Sequence, residues 1–294
     1  MIRYSKEVAA AIAAKKPIVA LESTIISHGL PRPRNLEVAR EVEEIVRKAG
    51  ATPATIAIID GEIHVGLEGD QLIRIANDDS VVKASTRDLA ILVATKKSAA
   101  TTVAATGHIA AMAGITVFAT GGLGGVHRGD GFDESADLRA LSITPIIIVC
   151  AGVKSILDVA ATLERLETLA IPVLGFQTNR FPGFYLTDSG FELEHRVENV
   201  SEIALIWKER AGSNTSSSAV VVTNPVKKEL DRTLHDQLLR DGLALAEKEH
   251  ITGKAVTPFL LEYFHRASNG ASLDVNVDII KSNSLLAAQI AIAL

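Results

Sequence analysis

The segment Pro145-Ile-Ile-Ile-Val-Cys-Ala-Gly-Val-Lys154 indicates the fold of this chain. It is a short apolar run rich in β-branched residues that begins at a proline and ends in small residues, which is typical of a buried strand. Similar runs occur at 17–21, 55–59, 115–119, 172–177 and 219–222. Helical patterns separate most of these runs, and this alternation predicts an α/β fold with a mostly parallel sheet.

Helical periodicity and turn residues place the remaining segments. Helices are expected at 5–15, 36–49, 68–76, 102–113, 155–169, 201–210, 230–250, 257–267 and 272–293. Asn35 is expected to cap the second of these helices, and Asp60-Gly61 predicts a hairpin turn into a strand at 62–65. Lys83 begins a polar segment that is typical of a turn. Residues 1–294 are expected to form a single α/β domain, since no internal repeat or linker divides them.

Composition excludes several classes of protein. Hydrophobic residues make up 47 % of the 294 residues and aromatic residues only 4 %, which favours helices packed on buried strands over an all-β sandwich. The net charge is −5 without a basic tract, so no nucleic-acid partner is expected. Cys150 is the single cysteine, which excludes an intramolecular disulfide and a cysteine-based zinc site. Neither a signal-peptide pattern nor an apolar run of about 18 residues is present, so we expect no membrane partner and a cytoplasmic location.

Three groups of reactive side chains follow predicted strands. Glu22 follows the first strand, the glycine-rich segment Thr120–Gly131 follows another, and Lys154 ends the segment quoted above. In a parallel sheet the ligand site lies at the carboxyl ends of the strands. We therefore expect these three groups to converge.

Lys154 is a candidate nucleophile. A lysine between the end of a strand and the start of a helix lies near the positive end of the helix dipole, which together with partial burial favours its neutral amine. A neutral amine attacks an aldehyde carbon and forms a Schiff base. A phosphate-binding lysine or a plain surface lysine is the alternative.

The glycine-rich segment and the acidic residues beyond it indicate an ion site. Small residues let backbone N–H groups approach an anion, although the segment matches neither a Walker loop nor a dinucleotide fingerprint. Asp133 and Asp137 are four residues apart and would share one side of a helix, which suits a hard divalent cation. A flexible loop with solvated aspartates is the alternative.

Glu22 is a candidate general acid or base. It lies beside Ser23, Thr24 and His28 at the end of a strand that is expected to be buried. Because an unpaired buried carboxyl group is costly, such a glutamate either has a chemical role or is held by a partner. An ion-paired or capping glutamate is the alternative, and His28 and His127 can equally be structural histidines.

Five segments, taken in order, resemble the pseudouridine-5′-phosphate glycosidase family. They are Ala20-Leu-Glu-Ser-Thr-Ile-Ile-Ser-His-Gly-Leu-Pro31, Gly124-Gly-Val-His-Arg-Gly129, Ser135-Ala-Asp-Leu138, Val149-Cys-Ala-Gly-Val-Lys-Ser-Ile-Leu-Asp158 and Thr257-Pro-Phe-Leu-Leu261. Their order and spacing agree with the family from Pro17 to the C-terminus. The resemblance implies a homotrimer with a three-layer α/β/α core.

The resemblance also implies roles for individual residues. Lys154 matches the family's lysine nucleophile, Glu22 its proton donor, and Asp133 its metal ligand, with Mn²⁺ or another divalent cation as cofactor. The positions that match substrate-contacting residues are Lys83, Val103, His127, Ser135, Ala136, Asp137 and Asn283. The loop 128–132 is shorter than in the family pattern, and Ser282 stands where the family has a second asparagine.

The implied activity is the reversible cleavage of the C–C glycosidic bond of pseudouridine 5′-phosphate, by a lyase that forms a lysine Schiff base. The products are uracil and ribose 5-phosphate. An ordinary glycosidase protonates a leaving oxygen or nitrogen, but a C-glycoside has no lone pair at its leaving carbon. The alternatives are a synthase that joins ribose 5-phosphate to another heterocycle, a lysine-dependent sugar-phosphate aldolase, and a sugar-phosphate-binding regulator.

Overall fold

The computed structural model describes residues 2–129 and 133–294, in which strands and helices alternate along the chain. The strands are β1 Ile2–Tyr4, β2 Ile18–Leu21, β3 Thr52–Ile59, β4 Glu62–Val65, β5 Val82–Ala84, β6 Ala99–Thr101, β7 Val117–Ala119, β8 Ile147–Cys150, β9 Val173–Phe176, β10 His195–Val197 and β11 Val220–Thr223. The helices are α1 Lys6–Ala13, α2 Arg34–Lys48, α3 Gly69–Asn77, α4 Leu89–Ala94, α5 Val103–Met112, α6 Ala136–Leu141, α7 Val159–Thr168, α8 Val200–Gly212, α9 Arg232–Lys248, α10 Val256–Ala267 and α11 Ala271–Ala293. A π-helical turn at Ile25–Gly29 follows β2.

One sheet joins the strands in the described ranges, and it is mostly parallel, as the sequence predicts. Its order is β1-β4-β3-β2-β7-β8-β11-β9-β10, with β6 paired to β3 and β5 paired to β6. The pairings of β3 with β4 and with β6 are antiparallel, and the remaining pairings are parallel. The strands β2, β7 and β8 are neighbours, so their carboxyl ends lie side by side.

Helices cover both faces of the sheet, which confirms the three layers that the resemblance implies. Side chains of successive strand residues alternate between the faces: Ile148 and Cys150 belong to one core, and Ile147 and Val149 belong to the other. The first core contains residues of α1, α5, α7 and α9, and the second contains residues of α2, α8 and α11. Because both faces of the sheet are covered at its centre, the central strands β2, β7 and β8 are apolar throughout rather than alternating.

Three local predictions were wrong. Asn35 lies inside α2, which begins at Arg34, and its Nδ2 donates to the backbone oxygens of Ile26 and Ala76, both at 2.8 Å. Lys83 lies in β5 rather than in a turn. The helix that was expected from Ser155 begins at Val159.

The hairpin at Asp60-Gly61 is confirmed, with φ of 49° and 81° at the two turn residues. The strands β1, β5, β6 and β10 were missed because each has 3 residues and contains a polar or charged one, so none forms an apolar run like the equally short β7. No helix in the described ranges is both long enough and apolar enough to cross a membrane.

Candidate active site

Three neighbouring strands bring the candidate residues together. Glu22 follows β2, the glycine-rich segment follows β7, and Lys154 lies beyond the end of β8. Backbone hydrogen bonds join the last two segments: the amide of Ala151 donates to Gly121 O at 2.9 Å, and the amide of Lys154 donates to Leu123 O at 3.2 Å. The convergence expected from the strand ends is therefore present in the structure.

A cleft at this edge of the sheet has two lobes, and Glu22, Lys83 and Lys154 line both of them. The outer lobe has a volume of ≈ 300 Å³ and the inner lobe a volume of ≈ 50 Å³. Further residues of the outer lobe are Ser85, Arg87, Val103, His127, Asp133, Ser135, Ala136 and Asp137. Further residues of the inner lobe are His28, Gly121, Gly122, Phe184, Thr257, Leu261 and Asn276. The outer lobe is thus rich in charged groups, while the inner lobe combines apolar side chains with a few polar ones.

The carboxyl group of Glu22 is nearly inaccessible to solvent. Glu22 is 9 % exposed, and its Oε1 accepts a hydrogen bond from the Thr120 hydroxyl. Burial raises the pKa of Glu22, while the charge of Lys154 and the hydrogen bond from Thr120 partly oppose this shift. A carboxyl group with a raised pKa keeps its proton to a higher pH than an ordinary glutamate, which suits a general acid or base.

The segment that carries Lys154 has a fixed backbone. Gly152 has a φ of 81°, and a Cβ at this position would lie 2.1 Å from Pro182 O, so the segment requires glycine there. α7 begins at Val159, and Asp158 is its N-cap. Lys154 is therefore not at a helix N-terminus, contrary to the sequence prediction. The groups that line the cleft, rather than a helix dipole, surround its amine.

Asp137 fixes the floor of the outer lobe. Its Oδ1 accepts the amide of Ala104 and its Oδ2 accepts the amide of Gly124, both at 2.9 Å, and the residue is buried. These bonds tie the first turn of α5 to the glycine-rich segment. A Cβ at Gly124 would lie 2.2 Å from Ser135 Oγ and 2.7 Å from Asp137 Oδ2. Glycine at this position therefore allows the close approach of the two segments.

His127 and Asp133 form a pair at the edge of the outer lobe. His127 Nδ1 lies 2.6 Å from Asp133 Oδ2, and the side chain of Asp133 is 59 % exposed. The sequence predicted that Asp133 and Asp137 share one side of a helix. This was wrong, because α6 begins at Ala136 and Asp133 precedes it. Over residues 2–129 and 133–294, no group of three His, Cys, Asp or Glu side chains could hold a metal ion. Residues 130–132 of the shorter loop lie outside the described residues.

The remaining predicted residues divide into two groups. Those that line the outer lobe are Lys83, Val103, Ser135 and Ala136. Asn283 lines neither lobe and is completely buried. Its Nδ2 donates to Thr120 O at 2.7 Å, and its Oδ1 accepts from Asn224 Nδ2 at 3.0 Å. Asn283 therefore supports the segment that follows β7 instead of facing the cleft.

The inner lobe contains residues that sequence reasoning missed. Asn276 is 2 % exposed, and its Oδ1 has no hydrogen-bond partner among the residues described. An amide between Val275 and Val277 in a buried helix was a usable signal, because an unpaired buried polar group is costly. Nothing in the local sequence marks Phe184. Burial and the charge of Lys83 lower the pKa of His28, which favours a neutral imidazole on this side of the lobe.

Comparison with known proteins gives relatives over nearly the whole chain. A family model described as indigoidine synthase A-like protein matches residues 7–293. A protein named pseudouridine-5′-phosphate glycosidase from Salinispora tropica is 57 % identical, and the match covers 99 % of this chain and 91 % of that protein. A protein of the same name from Streptomyces griseus is 53 % identical over 98 % of this chain and 91 % of its own length.

Two solved structures are similar to this one at a TM-score of 0.91 each. An indigoidine synthase A-like protein from Thermotoga maritima is 38 % identical, and the match covers 99 % of this chain and 96 % of that one. The prealnumycin C-glycosynthase AlnA, solved in complex with ribulose 5-phosphate, is 34 % identical over 100 % of this chain and 97 % of its own. The chain thus belongs to the indigoidine synthase A-like family and is similar over nearly its full length to proteins named pseudouridine-5′-phosphate glycosidase.

Proposed function

We propose that this protein is a pseudouridine-5′-phosphate glycosidase that converts its substrate reversibly to uracil and ribose 5-phosphate through a Schiff base on Lys154. The observation that carries the proposal is that Lys154 and the buried acid Glu22 line the same two lobes of one cleft. The relatives of that name, at 57 % and 53 % identity, support the same substrate.

The outer lobe suits the phosphate and the sugar. Lys83 and the exposed Arg87 bring positive charge to its wall. α5 begins at Val103 in the same wall. Asp137 accepts its Ala104 amide and Thr102 its Ala105 amide, so what the helix offers an anion is the partial positive charge of its N-terminus. We assign the phosphate to this lobe, with Ser135 as a further hydrogen-bonding group.

The inner lobe suits a flat heterocycle such as uracil. Phe184 and Leu261 offer apolar surface to the faces of a ring. The buried Oδ1 of Asn276 can accept a hydrogen bond from a ring N–H. Because a buried acceptor without a partner is costly, a base that supplies this N–H binds more tightly than one that does not.

The chemistry follows from the positions of the amine and the acid. Glu22 gives its proton to the sugar oxygen O4′ as the C1′–O4′ bond breaks, and electrons of the uracil ring form a double bond to C1′. The Nζ of Lys154 adds to C1′, the electrons return to the ring, and Glu22 accepts a proton from the amine. Glu22 then passes this proton to C5 of uracil while the C1′–C5 bond breaks and the nitrogen lone pair forms the imine. Water hydrolyses the imine, which frees ribose 5-phosphate and Lys154.

Asp133 supports the proposal of a divalent cation. One of its oxygens is engaged by His127, which leaves the second oxygen for a cation, and the exposure of the side chain leaves room for water ligands. The residues present therefore fit Mn²⁺ with a largely aqueous shell. Bound there, the ion would supply positive charge that orients phosphate or hydroxyl oxygens.

The reverse reaction joins uracil to ribose 5-phosphate with loss of water. We therefore propose the carbon–oxygen lyases, as a hydro-lyase, for the reaction class. The homotrimer and the cytoplasmic location stay predictions, and light scattering of the purified protein tests the first of them.

Uracil release from pseudouridine 5′-phosphate, followed by absorbance, tests the proposed function. We expect turnover by the wild type and a loss of roughly a thousand-fold or more in Lys154→Ala, because the covalent step has no substitute nucleophile. Lys48→Ala removes a surface lysine whose side chain is 75 % exposed and serves as the control. Activity of Lys154→Ala close to that of the control would exclude the covalent role.

A synthase that joins ribose 5-phosphate to another heterocycle is the second candidate function. The likeness to AlnA favours it, since that C-glycosynthase shares the fold over the whole chain. A panel of heterocycles offered with ribose 5-phosphate separates the two candidates. The glycosidase proposal predicts that uracil is consumed fastest.

A further inference from the structure

We propose that Ser155 and His235 are positioning residues for Lys154, acting through the hydrogen bond that joins the segment 151–158 to α9. Ser155 directly follows Lys154, and its Oγ lies 2.8 Å from His235 Nε2. The two residues are 6 % and 4 % exposed, and neither lines the cleft. The proposal rests on the proposed function, because it takes Lys154 as the nucleophile.

The neighbour of His235 sets the direction of this hydrogen bond. His235 Nδ1 lies 3.0 Å from Asp236 Oδ1. An ionised carboxylate only accepts, so Nδ1 carries the proton and Nε2 is left as the acceptor for the Ser155 hydroxyl. Burial lowers the pKa of His235, which favours the neutral form of its ring. The ring of Phe264 lies edge-on to the imidazole at 5.8 Å and helps to hold it in place.

The segment around Lys154 is anchored on two sides. On one side, the amide of Lys154 donates to Leu123 O at 3.2 Å, and the amide of Asp158 donates to Val126 O at 2.9 Å. On the other side, Ser155 is held by His235. Loss of the Ser155–His235 bond leaves the backbone bonds to Leu123 and Val126 intact. We therefore expect Lys154 to stay in the cleft while the position of its Nζ varies more.

A less well positioned Nζ lowers the rate of its attack on C1′ strongly and changes the affinity for the substrate little. Displacement of a reacting atom by about 1 Å can reduce the rate by up to ~100-fold. α9 also packs on α10, and Thr257 and Leu261 of α10 line the cleft. The Ser155–His235 bond therefore links the nucleophile to the helix pair that forms one wall of its own site.

The matched variants are Ser155→Ala and Ser272→Ala. Ser272 is likewise buried, its Oγ also lies 2.8 Å from a histidine nitrogen, Nδ1 of His265, and it does not line the cleft; its Oγ accepts a further hydrogen bond from Ser268 at 3.2 Å. Each variant is assayed for turnover of pseudouridine 5′-phosphate, for the rate of borohydride trapping of ribose 5-phosphate, and for thermal stability. We expect Ser155→Ala to lose turnover and trapping rate in parallel, by about 10- to 100-fold with KM unchanged. We expect Ser272→Ala to lose a similar amount of stability and no activity.

Two histidine variants extend the test. His235→Gln places an amide near Nε2 that can accept the serine hydrogen bond, and we expect it to keep most of the trapping rate. His235→Leu cannot accept it and is expected to match Ser155→Ala. Trapping at the wild-type rate in Ser155→Ala, or equal activity of Ser155→Ala and Ser272→Ala, would overturn the proposal. Failure of the proposed function gives a different result, because the wild type itself would then form no adduct at Lys154.

Discussion

Asp137→Asn tests how the floor of the outer lobe is held. In the structure each carboxylate oxygen of Asp137 accepts one backbone amide, from Ala104 and from Gly124, at 2.9 Å. Asparagine has a single oxygen, so one amide would face an NH₂ group and lose its acceptor. A buried donor without a partner costs about 1–3 kcal/mol, and the remaining bond weakens because its acceptor is no longer charged. We therefore expect the free energy of unfolding to fall by roughly 2–4 kcal/mol, with a parallel loss of activity.

Asp158→Asn is the matched control. Asp158 caps α7 with one oxygen, which accepts the amide of Ala161 at 2.9 Å, and asparagine caps a helix about as well as aspartate. Urea denaturation followed by circular dichroism gives the free energy of unfolding of both variants. Equal stability of the two variants would refute the reasoning, since it would mean that the second oxygen of Asp137 holds nothing that matters for folding.

The remaining predictions concern the segment that carries Lys154, the buried acid Glu22, the binding of uracil and the binding of the cation. Gly152→Ala is expected to lose several kcal/mol of stability, whereas Gly190→Ala, at a φ of 93° with nothing near a Cβ, should lose only about 1–2 kcal/mol in thermal denaturation. Because burial raises the pKa of Glu22, the wild type loses stability as the pH rises from the ordinary value of 4.5 through the raised value. Glu22→Gln removes the proton donor and should be inactive. Its stability, measured by unfolding across this pH range, should equal that of the wild type below pH 4.5 and exceed it above the raised pKa of Glu22. Asn276→Ala should raise KM for uracil in the synthetic direction by about 10-fold and leave stability nearly unchanged, because its oxygen has no partner among the described residues. Chelation should abolish turnover, added Mn²⁺ should restore it, and Asp133→Asn should raise the Mn²⁺ concentration needed; turnover that persists in a chelator would contradict the cation proposal.

The sheet and the location of the site could be predicted from the sequence because both depend on short-range patterns. β2, β7 and β8 are apolar runs bounded by polar or small residues, and strands buried on two faces have this pattern. Glu22 directly follows β2, and Lys154 comes four residues after the last residue of β8, so the rule for parallel sheets placed them together. The convergence of these two residues could therefore be predicted without knowing any contact between distant parts of the chain.

The contacts that complete the site could not be predicted, because they join residues far apart in the chain. Asp137 binds the amide of Ala104, 33 residues away, and Asn283 binds Thr120 O, 163 residues away. No local pattern encodes either pair. The start of α7 was misplaced for a related reason: residues 151–158 bond to the segment after β7 instead of continuing as a helix. The sequence therefore pointed to Lys154 as a candidate nucleophile and to its place in the cleft, but the helix N-terminus expected beside it lies further along the chain, at Val159.

Borohydride reduction of the enzyme with ribose 5-phosphate, followed by peptide mass spectrometry, measures directly which residue holds the sugar. We expect a single adduct, at Lys154, with the added mass of ribose 5-phosphate less one oxygen atom, and none in Lys154→Ala. An adduct at Lys83 or at another lysine, or a wild type that turns over substrate without any adduct, would contradict the Schiff-base assignment.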